Sequence, residues 1–228
     1  MAAVYIDFLP LFGSARPAPG AEGAWVWQSG RRAGADDTML TPEEEARLAR
    51  LVDPEKRGVT RGFLIERKWL LGVLLGRSPD EVRIAHDRQG KPLLETCPDV
   101  SISLSDSDGW NALALSCRGG VGIDIERVRP LAWQSMLPMM SEPAEAARIS
   151  EAINQAQSLT PFFRAWTMKE AVLKAAGTGL RGGAARIVLS TDFLREASSE
   201  TCLQLNNARF SVRTVTGDAF VVSCASCA

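Results

Sequence analysis

Three carboxylates and two lysines stand in two short segments of the chain's second half. These are V-G-I-D-I-E at Val121–Glu126 and F-F-R-A-W-T-M-K-E-A-V-L-K at Phe162–Lys174. The first segment alternates, so as a strand it turns Val121, Ile123 and Ile125 to one face and Asp124 with Glu126 to the other. As a helix, the second places Glu170 and Lys174 one turn apart on the same side, near Phe163 and Thr167. Acids gathered this closely repel one another, which makes a divalent cation their natural partner. An all-oxygen donor set favours Mg²⁺ over zinc. The chemistry indicated is that of phosphate groups.

Elements on both sides must position these residues. Thr41, Pro42 and the three glutamates that follow predict a helix start, with Leu48 and Leu51 on one face up to Pro54. Between Arg61 and Gly76, Phe63, Leu64, Leu70, Leu71, Leu74 and Leu75 recur at helical spacing, interrupted by Arg67 and Lys68. Short strands are predicted over Val82–His86, Pro92–Leu94, Val100–Leu104 and Ala112–Cys117, leading into Val121–Glu126. Ser141–Gln157 reads as an amphipathic helix. Thr160 with Pro161 caps the helix that carries Glu170, and Gly177-Thr178-Gly179 ends it. Strands are then predicted at Ile187–Ser190, Phe210–Val215 and Ala219–Ser223, the last two forming a hairpin around Thr216-Gly217-Asp218. Residues 1–35, rich in Gly, Ala and Pro, read as a strand at Val4–Phe8 followed by irregular chain. Helices precede strands in both halves. An α+β chain of two similar parts is therefore expected, divided as 1–117 and 118–228, although no residue-level repeat demonstrates a duplication.

Composition narrows the function classes. With 228 residues, 46% hydrophobic and 23% charged, the chain can bury a substantial core. A net charge of −1 argues against sequence-independent nucleic-acid binding. The five cysteines fit neither zinc spacing nor a disulfide framework. Cys224 and Cys227 form a C-x-x-C that closes a strand-like run without the following helix of a redox motif. A reducing, cytoplasmic setting is expected. The start lacks a basic leader, and no segment reaches the about 20 apolar residues of a membrane span.

The residues carry a resemblance. G-I-D-I-E followed by W-T-M-K-E-A-V-L-K resembles the bipartite signature of the 4′-phosphopantetheinyl transferases. Asp53-Pro54-Glu55-Lys56-Arg57, the run Lys68–Leu75, Gln89-Gly90-Lys91-Pro92 and Ser101–Ser107 fall in the order expected for the larger monomeric type that activates peptide and polyketide synthases. The likeness extends from about Leu51 to Leu180. It implies an α+β fold of two subdomains related by pseudo-twofold symmetry, each with helices packed on an antiparallel sheet, and coenzyme A with Mg²⁺ in the cleft between them. The implied enzyme is of the holo-[acyl-carrier-protein] synthase type. It moves the phosphopantetheine arm of coenzyme A onto a serine of an apo carrier protein and releases adenosine 3′,5′-bisphosphate. By register with the family, Asp124, Glu126 and Glu170 hold Mg²⁺. Glu170, directly or through a water on the metal, takes the serine proton, and Lys174 stabilises the departing phosphate. Lys56, Lys68 and Lys91 match positions that meet the coenzyme's phosphates, with Ser103 and Ser105 offering hydroxyls near the nucleotide.

One departure stands out. Where the family carries a histidine facing a coenzyme phosphate, this chain has Asp106. That acid would repel a phosphate unless rotated away, protonated or paired with a nearby Lys or Arg. It leaves open a non-catalytic coenzyme A or nucleotide-binding homologue; a separate alternative is an unrelated Mg²⁺-dependent phosphohydrolase that needs no protein acceptor. His86, the sole histidine, is read as structural, and no G-x-S-x-G elbow accompanies it. Trp166, on the stripe of Phe162, Ala165, Val172, Leu173 and Ala176, is expected in the core. Lys169 lies within that stripe, where a buried stem and an amine reaching the site are one arrangement open to it. Met136, Leu137, Met139 and Met140 are read as a buried or loop cluster before a carrier-docking surface. Arg127 and Arg129 stand evenly between solvated charges and contacts to an acidic helix of a carrier.

Overall fold

The acid-bearing segment is the edge strand of a sheet wedged between a second sheet and a helix. The computed structural model describes residues 6–8, 17–29, 39–179 and 183–227. Six strands form the first sheet: β1 (Ile6–Phe8), β2 (Gly23–Gln28), β3 (Ile84–His86), β4 (Pro92–Leu94), β5 (Ser101–Ser107) and β6 (Trp110–Ser116), in the order β1-β2-β6-β5-β4-β3. All its pairings are antiparallel except β1 with β2, which is parallel. Four strands form the second: β7 (Val121–Arg127), β8 (Glu200–Leu205), β9 (Ala208–Thr216) and β10 (Phe220–Cys227), ordered β7-β10-β9-β8 and antiparallel throughout.

Helices α1 (Pro42–Ala49) and α2 (Pro54–Leu75) precede β3, and α3 (Leu137–Met140), α4 (Pro143–Ala156), α5 (Thr160–Ala176) and α6 (Thr191–Leu194) lie between β7 and β8. Thr41 caps α1 through a reciprocal box with Glu44. Asp53 caps α2, whose end is set by Gly76 at φ +62°. Pro54 is therefore the first residue of α2, and Lys56 sits in that helix's first turn instead of in the link before it.

The packing is layered. Leu70, Leu71 and Leu74 of α2 cover one face of the first sheet, against Trp25, Trp27, Ile102 and Leu113. The opposite face, Ala24, Val26, Ala112 and Ala114, meets Val121, Ile123, Ile125, Val222 and Cys224 of the second sheet. On the far side of the second sheet lie α4 and α5, through Ile149, Phe162, Ala171, Val172, Val221 and Ala225. This α+β arrangement of two largely antiparallel sheets with helices outside agrees with the expected fold class.

Four details differ from the expectations. Strand β2 runs through a stretch read as irregular, because Ala24–Trp27 are buried on both faces and show no alternation. Strand β8 has no counterpart among the expected strands, whereas Ile187–Ser190 forms no strand and follows a 3₁₀ turn at Ala184–Arg186. Leu159, not Thr160, occupies the cap position of α5. Val4 and Tyr5 of the predicted first strand lie outside the described residues.

Candidate active site

Two glycines set the geometry. A Cβ on Gly122 would stand 2.0 Å from the Ala171 carbonyl oxygen, and one on Gly120 would stand 2.3 Å from that of Ala175. Only glycine lets β7 lie this close to the α5 backbone. The approach carries the polar face of β7 onto the Lys174 turn. Lys174 Nζ donates to Asp124 Oδ1 at 2.7 Å and to the Ile123 carbonyl at 2.9 Å.

Asp124 is buried, and burial raises its carboxyl above the ordinary range while the Lys174 ammonium pulls it back. Its Oδ1 also accepts from Ser105 Oγ at 3.0 Å. Its Oδ2 is buried without a hydrogen-bond partner, and so is Oε1 of Glu170. Burial, then the Asp124 charge, push Glu170 up to about 7, against Lys174. Two carboxyls with open, buried oxygens thus feel the charge of one ammonium, which is paired with Asp124. Such oxygens are costly unless a donor or a cation meets them, and an oxygen-liganded divalent ion fits this donor set.

Glu126 is placed differently. Its Oε2 accepts from Ser107 Oγ at 3.1 Å and from Arg129 at 2.8 Å, and Arg129 lies over the Phe163 ring at 5.6 Å. Among the described residues, no three His, Cys, Asp or Glu side chains are already gathered closely enough to hold a metal. Bringing Glu126 onto a cation shared with Asp124 and Glu170 exchanges its Arg129 ion pair for the metal.

The structure separates the expected phosphate-binding residues. Lys91 follows a turn whose backbone is held by Asp87 and whose Gly90 has φ +88°. Its amine would lie 3.9 Å from a Cβ on Gly177, so this first-half cation reaches the C-terminal end of α5. Lys56 is exposed on α2. Lys68 is completely buried and pairs with Glu44 Oε2 at 2.9 Å, so its ammonium fastens α2 to α1. The Ser103 hydroxyl is also committed. Ser103 is buried and accepts from the Ile123 N–H at 3.0 Å. Ser105 faces β7 and Asp124 rather than an open nucleotide site.

Asp106 has the partner its charge demands. Arg67 donates to its Oδ1 at 2.6 Å and to the Ser105 carbonyl at 3.3 Å, with the guanidinium over the Phe63 ring. Lys169 does not reach the site. Its amine donates to Glu145, Met140 O and Ala184 O, a buried arrangement that ties α5 to α4 and the loop after Gly183. Trp166 packs half-buried against the second-half core, stacked on Phe162. Met140 and Leu137 are buried and Met139 is exposed.

The glycines, the acid-bearing strand and the lysine-bearing helix all fall within residues 120–225, the segment that matches the profile of the 4′-phosphopantetheinyl transferase superfamily. The 4′-phosphopantetheinyl transferase AcpT of Salmonella typhimurium is 35% identical over 168 residues, 73% of this chain and 83% of that protein. The 4′-phosphopantetheinyl transferase Sfp of Bacillus subtilis is 28% identical over 156 residues, covering 63% and 68% of the two chains. HetI of Nostoc, a 4′-phosphopantetheinyl transferase, is 34% identical over 146 residues, 62% of this chain and 61% of its own. At 35% identity over 73% of its length to AcpT, with the profile match over the acid strand and the lysine-bearing helix, the chain belongs to the 4′-phosphopantetheinyl transferase superfamily.

Proposed function

We propose that this protein transfers the 4′-phosphopantetheine arm of coenzyme A to a serine hydroxyl of an apo carrier protein, in an Mg²⁺-dependent reaction that releases adenosine 3′,5′-bisphosphate. The observation that carries the reading is the pair of open, buried oxygens on Asp124 and Glu170 beside the Lys174 ammonium. Asp124, Glu126 and Glu170 would hold Mg²⁺, which when bound neutralises charge on the pyrophosphate as its P–O bond breaks.

The chain's own groups supply the rest. Glu170 accepts the proton of the carrier serine as the new O–P bond forms. Lys174, fixed by Ile123 O and Asp124, faces the charge that develops on the departing phosphate. Lys91 and Lys56 bind the coenzyme's phosphates from the first half. In this reading residues 1–117 provide cations and residues 118–228 provide acids and catalytic helix. Carriers of peptide, polyketide or fatty acid synthesis are the partner class, met by a cytoplasmic monomer without nucleic acid. Among the described residues no helix is long and apolar enough to cross a membrane.

The test is direct. The protein is incubated with coenzyme A, Mg²⁺ and apo carrier proteins of several types, and the carriers are weighed. A gain of one phosphopantetheine, abolished by EDTA, is the expected result. Coenzyme A cleavage without carrier labelling would assign a phosphohydrolase instead, and binding without turnover a non-catalytic homologue.

A further inference from the structure

Four serines of β5 stand at regular intervals against β7. The N–H of Val121 donates to Ser101 Oγ at 3.3 Å, Ile123 to Ser103 at 3.0 Å, Ile125 to Ser105 at 3.3 Å and Arg127 to Ser107 at 3.1 Å. Each pair is offset by 20 residues. Strand β7 is the edge of the second sheet, and these are the backbone donors that its sheet leaves unpaired. Side chains of one sheet thus take the place of a missing neighbour strand.

The four rungs are not equivalent. Ser105 also donates to Asp124 Oδ1 at 3.0 Å, and Ser107 donates to Glu126 Oε2 at 3.1 Å. Each accepts from one backbone N–H and donates its own O–H to the carboxylate of the residue before that N–H. At the matching positions of the other two rungs stand Gly120 and Gly122, where the α5 backbone fills the side-chain space. A backbone bond that locks the serine oxygen also limits where its O–H can point. The second bond then selects Oδ1 of Asp124 and leaves Oδ2 open.

We infer that Ser105 and Ser107 are positioning residues, contributed by the first half, that aim the Asp124 and Glu126 carboxylates of the second half for cation binding. The inference rests on the assignment of those acids to a divalent cation. It predicts that metal affinity depends on two serines that never touch the metal, and that Ser101, which makes only the backbone bond, does not share the effect.

Ser105→Ala, Ser107→Ala, Ser101→Ala and Ser105→Thr are compared by thermal midpoint, by Mn²⁺ affinity from electron paramagnetic resonance without coenzyme A or carrier, and by the ¹³C resonance of the Asp124 carboxyl in EDTA. Ser105→Ala is expected to weaken Mn²⁺ binding about tenfold or more and Ser107→Ala in the same direction, the size typical of lost outer-shell partners. Ser101→Ala lowers the thermal midpoint but leaves Mn²⁺ affinity within about twofold, and Ser105→Thr restores binding. The inference is overturned if Ser105→Ala binds Mn²⁺ as the parent does, or if Ser101→Ala weakens it equally. Should the parent bind no Mn²⁺, the metal assignment fails by itself. The carboxyl resonance then decides: movement in Ser105→Ala but not in Ser101→Ala keeps the orienting role, and an unmoved resonance removes it.

Discussion

Glu170 is a carboxyl that burial and a neighbouring acid hold close to half-protonated at neutral pH. Replacing it by Gln keeps its volume and removes its basicity. Positioned proton transfer typically contributes about 10²- to 10⁴-fold, so Glu170→Gln is expected to lower turnover about 100-fold or more. Coenzyme A affinity, measured by calorimetry, should change little beside that loss. An undiminished rate would take Glu170 out of the proton transfer. The same residue links stability to pH. Its carboxyl titrates at 4.5 in the unfolded reference and at about 7 in the fold, so the native state holds the extra proton. In metal-free protein this contribution is fully present below 4.5 and is lost as pH rises through about 7. A cation needs the carboxylate and replaces that proton. The rise in melting temperature caused by Mg²⁺ over EDTA should therefore be larger at about pH 8 than at about pH 5, and Glu170→Gln should flatten the difference. Equal shifts at both pH values in the parent would contradict this.

At the scale of elements, the contact of β7 with α5 depends on Gly122. A methyl group there would stand 2.0 Å from backbone of α5, so strand and helix must part. Gly122→Ala is expected to destabilise by about 3 kcal/mol or more, at or beyond the upper end of ordinary overpacking. Gly58 in α2 is the contrast: nothing lies within 4 Å of its Cβ position, and Gly58→Ala should stabilise by about 0.5–1 kcal/mol. Chemical denaturation measures both, and a Gly122→Ala protein as stable as its parent would refute the close-approach argument. The elements also show how far the sequence could be read. Strand β7 and helix α5 were legible because one alternates cleanly and the other carries a continuous apolar stripe. Strand β2 was not, since burial on both faces erases the period. The burial of Lys68 is signalled in the sequence by its place between Leu64 and Leu71 on the apolar side of α2. Its partner Glu44 is far upstream, and no local pattern joins the two. Ser103 and Ser105 belong to an S-I-S-L-S-D-S run whose period of two matches that of V-G-I-D-I-E-R. That match was visible in the sequence, but only the packing shows that the two faces meet.

For the whole molecule, the decisive feature is that the two sheets share one interior. Ile123 is fully buried between them, in a cluster with Ala24, Val26, Ala112 and Ala114 from the first sheet and Val222 and Cys224 from the second. The serine rungs run along the same joint, so apolar and polar contacts across it would be lost together. Neither half can retain its sheet face without exposing residues that are almost completely buried in the assembled fold. Unfolding should therefore be one cooperative event. In a variant with Trp133 and Trp166 replaced by Phe, Trp25, Trp27, Trp69 and Trp110 report on the first half alone, and far-UV circular dichroism reports on both. Their denaturation curves are expected to coincide in that variant. Ile123→Ala removes side-chain volume at the joint and should cost about 2–5 kcal/mol, shifting both curves by the same amount. If the tryptophan signal stayed in place while the circular dichroism transition split, the halves would be independent folding units, and the acids and cations of the site would be joined by ligand alone instead of by the fold.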